Sequence, residues 1–420
     1  MILNTKAAKA LAVSFTKMNL AKQAIDYLVE FATMDVTAII DPLNNAQREA
    51  VSHSGNHLLV LAGAGSGKTR VLVHRIAWLV QVEQVSPHCV LAVTFTNKAA
   101  HEMRARIQDM IGFFPRGMWV GTFHGLAHRL LKAHWHEAGL PENFQILDSD
   151  DQLRLVKRVM SGLGIDDGRY PPKQAQWFIN GQKDEGLRAK HLEPARDPFN
   201  STMQRIYVGY EEACQRGGLV DFAELLLRSH ELWLNNKELL AHYQQRFSHI
   251  LVDEFQDTNA IQYAWLRMLA GQKNLVTAVG DDDQSIYGWR GARIENIQNF
   301  SNHFPQTKIV RLEQNYRSTG VILKAANGVI ARNAARMGKN LWTEEQDGEP
   351  NHEDVDGETE QGVAVGGFVK AHAVEGGDEH DEDEGDHEAA QGVEELKLAF
   401  GFAPGEPVEA EDQTQGQNGD

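Results

Sequence analysis

The chain has 420 residues, 42% of them apolar and 24% charged, enough for two or three cored domains of ordinary soluble composition. No stretch approaches the roughly 18 apolar residues that cross a bilayer, so a membrane-spanning helix and membrane partners are not expected. The net charge of −17 would argue against a nucleic-acid partner if spread evenly, and it is not. Residues 351–420 hold 21 acidic groups against two basic ones, Lys370 and Lys397, which leaves 39 basic and 37 acidic groups in the other 350 residues. A near-neutral body can still present a local basic groove.

In chain order, residues 1–33 are Ala- and Lys-rich with a helical look but no long apolar run or clean cleavage site, and are read as an N-terminal extension rather than a signal peptide. From about residue 34 to 350, short apolar runs alternate with amphipathic helices. HLLVLAG (57–63) is a buried-strand candidate that ends on a glycine loop, and a helix follows over 68–80. CVLAVTF (89–95), HILVDE (249–254) and LVTAVGD (275–281) are further strand candidates. Continuous apolar strands separated by helices predict an α/β fold with a parallel sheet covered on both faces. Residues 123–247 are mostly helical in pattern and richer in Lys, Arg, Trp and His, as expected of an inserted subdomain. The sheet domain is thus assigned to 34–122 and 248–313. Beyond 350 the sequence turns to stretches such as GGDEHDEDEGDHEAAQG, whose like charges and low hydrophobicity predict a disordered acidic tail over 351–420.

The segment Ala62-Gly63-Ala64-Gly65-Ser66-Gly67-Lys68-Thr69 fits G-x-x-x-x-G-K-S/T, with alanine for the first glycine, between a strand and a helix. Glycines let backbone N–H groups close around phosphates, and the helix N-terminus favours negative charge. Lys68 is expected to neutralise the β- and γ-phosphates, and the Thr69 hydroxyl to ligate Mg²⁺. An acidic pair, Asp253-Glu254, leaves an apolar run and needs a reason, because buried unpaired carboxylates are costly. Asp253 as a Mg²⁺ partner and Glu254 as the base acting on the lytic water supply one. Gln284, in the third loop, can bond the γ-phosphate or the water, and Arg317 can stabilise γ-phosphate charge. ATP and Mg²⁺ are the ligands so implied.

Taken together, LNNAQREAV (43–51), AGAGSGKT (62–69), AVTFTNKAAHEM (92–103), GTFHGLAHRLL (121–131), DFAELL (221–226), VDEFQDTN (252–259), AVGDDDQSIYGWRGA (278–292) and LEQNYRS (312–318) resemble, in order, the motifs of the UvrD/PcrA/Rep superfamily 1 DNA helicases. The resemblance covers about residues 35–350. It implies a RecA-like P-loop motor domain, with 314–350 opening a second one. It also implies that Gln47 reads the adenine edge while Arg70 and Tyr316 sandwich the base, a contact suited to a guanidinium and an aromatic ring. A helicase grips a single strand by stacking aromatics on bases and setting donors on phosphates. Phe95, Tyr287 and Trp289 are the stacking set implied, with Thr94, Thr122 and His124 near the strand backbone and Arg290 and Arg293 close by. His124, His128, His134 and His136 lack matching cysteines or carboxylates, so zinc is not expected. Cys89 and Cys214 sit in apolar contexts without metal-ligand spacing and suit reduced thiols in a cytoplasm.

The implied activity is ATP-dependent 3′→5′ unwinding of single-stranded and 3′-tailed DNA, in a cytoplasmic, nucleoid-associated setting with DNA-repair proteins as partners. After TEEQDGEP no further motif of the family follows, and a shifted reading frame or truncated gene is the expected cause. The alternative function is therefore an ATP- and DNA-binding fragment that does not unwind. An unrelated P-loop kinase has no use for the aromatic GDDDQSIYGWRG loop or the helical insertion.

Overall fold

The protein is described here by a computed structural model covering residues 36–113, 115–333 and 336–344. The N-terminal extension and the acidic tail read from the sequence lie outside the described residues. Among the described residues eight strands occur in chain order: β1 (Leu58–Ala62), β2 (Val90–Thr94), β3 (Trp119–Thr122), β4 (Gln145–Ile146), β5 (Leu219–Val220), β6 (His249–Val252), β7 (Leu275–Gly280) and β8 (Lys308–Leu312). Six of them form one sheet in the order β3-β2-β6-β7-β1-β8, every neighbouring pair parallel. β4 and β5 make a separate parallel pair.

The apolar runs are continuous because both faces of this sheet are covered. Successive side chains of a strand point to opposite faces, and β1 shows the result. Leu59 and Leu61 join one core, whereas Leu58, Val60 and Ala62 join the other. The second core is closed by α1 (Asn45–Ser52), α2 (Lys68–Gln81) and α3 (Asn97–Ile111). The first is closed by α4 (Phe123–Ala133), α5 (Phe222–Asn235) and α6 (Ala260–Ala270), which bring Phe123, Leu130, Leu226, Trp233 and Trp265 against the sheet. Each such side chain removed from water stabilises the fold by about 1.5–3 kcal/mol. Arg75 of α2 is buried among these layers, where its guanidinium donates to the Ala50 and Val51 carbonyls at the end of α1 and to Thr277 Oγ1. Burial pulls its pKa down to about 10.

The helical insertion has a core of its own, from Leu147 to Cys214, including Val156, Ile179, Ile206 and Tyr207. The helix that opens the 123–247 stretch, α4, and the later α5 contribute to the sheet's core instead. The apolar seam therefore falls near Leu147 and Leu219, inside the boundaries drawn from composition. Between the two cores lies a buried ionic cluster. Lys183 Nζ is 2.6 Å from Asp221 Oδ2 and 3.1 Å from Glu224 Oε2, and Arg188 reaches Glu224 at 2.6 Å. Asp221 also accepts from Tyr210 Oη at 2.7 Å. DFAELL is thus the place where the insertion is pinned to the sheet domain.

Candidate nucleotide site and nucleic-acid interface

In a parallel sheet, the loops after the carboxyl ends of the strands meet at one edge, where ligands of α/β proteins bind. Here that edge collects the loops after β1, β2, β6, β7 and β8, so five sequence motifs become neighbours. The loop from Ala62 to Thr69 leaves β1 and enters α2. Gly65 and Gly67 have φ of 68° and 88°, the left-handed region that favours glycine. A methyl group on Gly65 would lie 2.7 Å from Arg317 Cβ, and one on Gly67 would lie 2.9 Å from Gln47 Nε2. Ser66 closes the turn, its Oγ donating to the Gly63 carbonyl at 2.7 Å. Ala64 and Gly65 offer their carbonyls to Asn315 Nδ2 at 2.6 Å and to the Tyr316 amide at 3.0 Å. The segment after β8 is therefore docked directly on the phosphate loop.

Lys68 Nζ is held 2.8 Å from Glu254 Oε2 and 3.4 Å from Gln284 Oε1. Three of the residues assigned to the γ-phosphate and the lytic water thus converge on one point. Glu254 has a φ of 45°, a conformation uncommon for a non-glycine residue and typical of functional turns. Asp253 is buried; its pKa is pushed up to about 7 by burial and by Glu254, against the pull of Lys68, the Glu254 amide and the Thr69 hydroxyl beside it. Gln256, which the motif reading passes over, ties the loops together. Its amide nitrogen donates to Glu254 Oε2 at 3.0 Å, and its oxygen accepts from the Asp281 amide at 2.9 Å. Asp257 sits beside it with Oδ1 buried and unbonded among the described residues, and burial followed by Glu254 pushes its pKa up to about 7.

The base-binding residues implied by the resemblance surround the same loop. Gln47 is fully buried in the capping box of α1, accepting from the Asn44 amide at 3.2 Å and donating to the Ser66 carbonyl at 2.9 Å. Half of its amide bonding capacity remains. Arg70 reaches the Pro42 carbonyl at 2.8 Å. Tyr316 is 45% exposed and its hydroxyl bonds Asn44 Nδ2 at 2.8 Å. Arg317 is exposed, with its amide bonded to Asn315 Oδ1 at 2.8 Å.

The residues assigned to DNA divide into two groups. Tyr287 and Trp289 are exposed, and Arg290 lies over both rings, 4.6 Å from the Trp289 centroid. Phe95 packs edge-on against Phe123 at 5.8 Å on the rim of the core. The others are engaged within the protein. Thr94 is fully buried and its hydroxyl donates to the Thr96 carbonyl, while Thr122 caps α4 by accepting from the Gly125 amide at 3.1 Å. Arg293 is paired with Glu185 of the insertion. Burial holds His124 neutral by lowering its pKa to about 4, and its ring meets Phe222 edge-on at 6.0 Å. Phe222, 54% exposed at the start of α5, escapes a motif reading because the apolar pattern of DFAELL assigns it to a core.

Residues 43–305 match the UvrD/REP helicase N-terminal domain, and the chain belongs to this family of P-loop helicase domains. It is 63% identical to DNA helicase II of Escherichia coli (strain K12) over 317 residues, 76% of this chain and 44% of that protein. It is 58% identical to DNA helicase II of Haemophilus influenzae over 76% of this chain and 44% of that protein, and 45% identical to ATP-dependent DNA helicase PcrA of Leuconostoc citreum over 75% and 42%. The chain thus spans less than half the length of these relatives. No helix among the described residues is long and apolar enough to cross a membrane.

Proposed function

We propose that this chain supplies the ATP-hydrolysing and strand-gripping part of a UvrD-type DNA helicase that travels 3′→5′ on single-stranded or 3′-tailed DNA. The observation that carries it is the convergence of Lys68, Glu254 and Gln284 within hydrogen-bonding reach at the end of a glycine cradle. In the proposed step Glu254 takes a proton from water, the water oxygen attacks the γ-phosphorus, and the bond to the β–γ bridging oxygen breaks to give ADP and phosphate. Lys68 leaves Glu254 for the β- and γ-phosphates, Gln284 bonds a γ-phosphate oxygen, and Arg317 meets the charge growing on the γ-phosphate. Gln47, Arg70 and Tyr316 hold the base.

The oxygen donors of Thr69 and Asp253, side by side with the carboxylate buried, fit Mg²⁺. When bound there, the ion supplies charge neutralisation for the phosphates. Phe95, Tyr287 and Trp289 stack on bases, with Arg290 and Arg293 serving phosphates and His124 beside the path, while the buried Thr94 and the capping Thr122 support it from within. DNA-repair proteins are the proposed partners, in the cytoplasm at the nucleoid.

A second reading is ATP-linked DNA binding without unwinding, since translocation needs two domains that close and open on the strand. ATP turnover with and without single-stranded DNA, combined with strand displacement on a 3′-tailed duplex, tests both. DNA-stimulated turnover lost in Glu254→Gln supports the ATPase assignment, and strand displacement decides between the readings. Turnover that survives Glu254→Gln would count against the site.

A further inference from the structure

Asp281, Asp282 and Asp283 follow β7 in succession, and their carboxylates approach one another within 4.8 Å. Asp281 and Asp282 are buried. Three carboxylates so placed repel one another and require a cation. One is supplied from the far end of the described chain. The ammonium of Lys339, itself buried, contacts Asp281, lies 2.9 Å from Asp282 Oδ1 and 2.8 Å from Asp283 Oδ2. An ammonium has three donors, and each meets a different aspartate. Arg336 adds a two-point contact to Asp283 at 3.1 and 2.8 Å, and the Met337 amide donates to Asp282 Oδ2 at 2.6 Å.

The same short segment touches the other two nucleotide loops. The Leu341 side chain lies against Gly63, where a methyl group would come within 2.3 Å of it. Trp342 bonds through its amide to the Glu313 carbonyl at 3.0 Å and through its carbonyl to the Asn315 amide at 2.7 Å. From Asp281 the chain of contacts continues to the reacting end of the site. Gln284 Nε2 donates to Asp281 Oδ2, which leaves Gln284 Oε1 facing Lys68 Nζ at 3.4 Å and a second Nε2 hydrogen free for a γ-phosphate oxygen.

We infer that Lys339 is a positioning residue for the γ-phosphate sensor Gln284, and that residues 336–342 form a strap coupling the three loops that meet ATP. Lys339 acts through Asp281. Without its ammonium, Asp281 and Asp282 lose their common partner, and the acceptor that orients the Gln284 amide is free to turn away. The role rests on the ATP-site reading above.

The test uses the whole chain and two probes, Mg²⁺-ATPγS and Mg²⁺-ADP, titrated by calorimetry. Lys339→Ala is expected to weaken ATPγS about tenfold, the worth of one oriented hydrogen bond, and to leave ADP within about twofold. Asp281→Asn, which keeps the side-chain shape, is expected to reproduce that selective loss. In a Gln284→Ala background, Lys339→Ala is expected to add nothing further, because both changes remove the same contact. An equal fall in ATPγS and ADP affinity, or losses that simply add in the double variant, would overturn the positioning role. Absence of nucleotide binding by the unsubstituted chain would instead overturn the ATP-site reading, and the strap's role with it.

Discussion

Lys68 Nζ lies 2.8 Å from Glu254 Oε2, so the cation assigned to the phosphates is held by the carboxylate assigned to the water. In the proposed step a γ-phosphate competes with Glu254 for the Lys68 ammonium, which would couple nucleotide arrival to the freeing of the base.

That relationship predicts opposite effects from the two partners. Lys68→Ala removes the main phosphate counter-charge and should abolish measurable Mg²⁺-ATP binding. Glu254→Gln removes a competitor for Lys68, worth about 1 kcal/mol at a pair whose carboxylate side is solvent-screened, and should tighten binding several-fold while hydrolysis disappears. Calorimetry with parallel turnover assays checks both. Equal ATP affinity in Lys68→Ala and the parent would sink the assignment.

A pH dependence follows from Asp253, whose pKa burial and Glu254 push up to about 7. Its unfolded value is about 3.9. Between those values the folded state holds more protons than the unfolded one, so this group lowers stability as pH rises from about 4 to about 7, and no further above. Buried histidines such as His230, lowered by burial to about 4, act in the opposite sense over part of that range, so the comparison must be with a variant. Asp253→Asn should gain stability relative to the parent between about pH 5 and about pH 7.5, read from urea unfolding without nucleotide. A difference that does not change with pH would contradict it.

The ionic cluster at the insertion should be sensitive to loss of its cation. Lys183→Met leaves Asp221 and Glu224 buried with one partner fewer, and breaking a buried pair in this way costs about 3–5 kcal/mol. Chemical unfolding should show a loss of that order. A change below about 1 kcal/mol would mean that Arg188 and Tyr210 suffice for both carboxylates.

On the nucleic-acid side, Trp289→Ala should weaken single-strand binding by about 1–3 kcal/mol. Glu185→Gln should strengthen it at low salt, because Arg293 is then released toward phosphate. Fluorescence anisotropy with labelled oligonucleotides at two salt concentrations separates the two effects. If Glu185→Gln leaves affinity unchanged at low salt, Arg293 does not serve the strand.

Removing residues 351–420 takes away 19 net negative charges and should also tighten DNA binding, most at low ionic strength. The same anisotropy measurement applies. An affinity identical with and without these residues would show that they do not compete for the groove.

The sequence by itself determined the parallel α/β class and the four central strands, since β1, β2, β6 and β7 are buried on both faces and read as unbroken apolar runs. It also marked the glycine loop and the acidic pair as candidates for a nucleotide site. Glycines at that spacing between strand and helix suit a phosphate, and carboxylates closing an apolar run call for a cation. The edge strands escape a pattern reading for physical reasons. The apolar run of β3 stops after Trp119 and Val120 at Gly121, and β8 alternates between exposed and buried positions like a surface strand. Tertiary structure alone decided which charged side chains are free and which are engaged. Nothing in the spacing of Lys339 from Asp281, Glu185 from Arg293 or Lys183 from Asp221 marks them as partners. Pairing across such separations is set by how the sheet's loops and the insertion converge, and a one-dimensional pattern carries no record of that convergence.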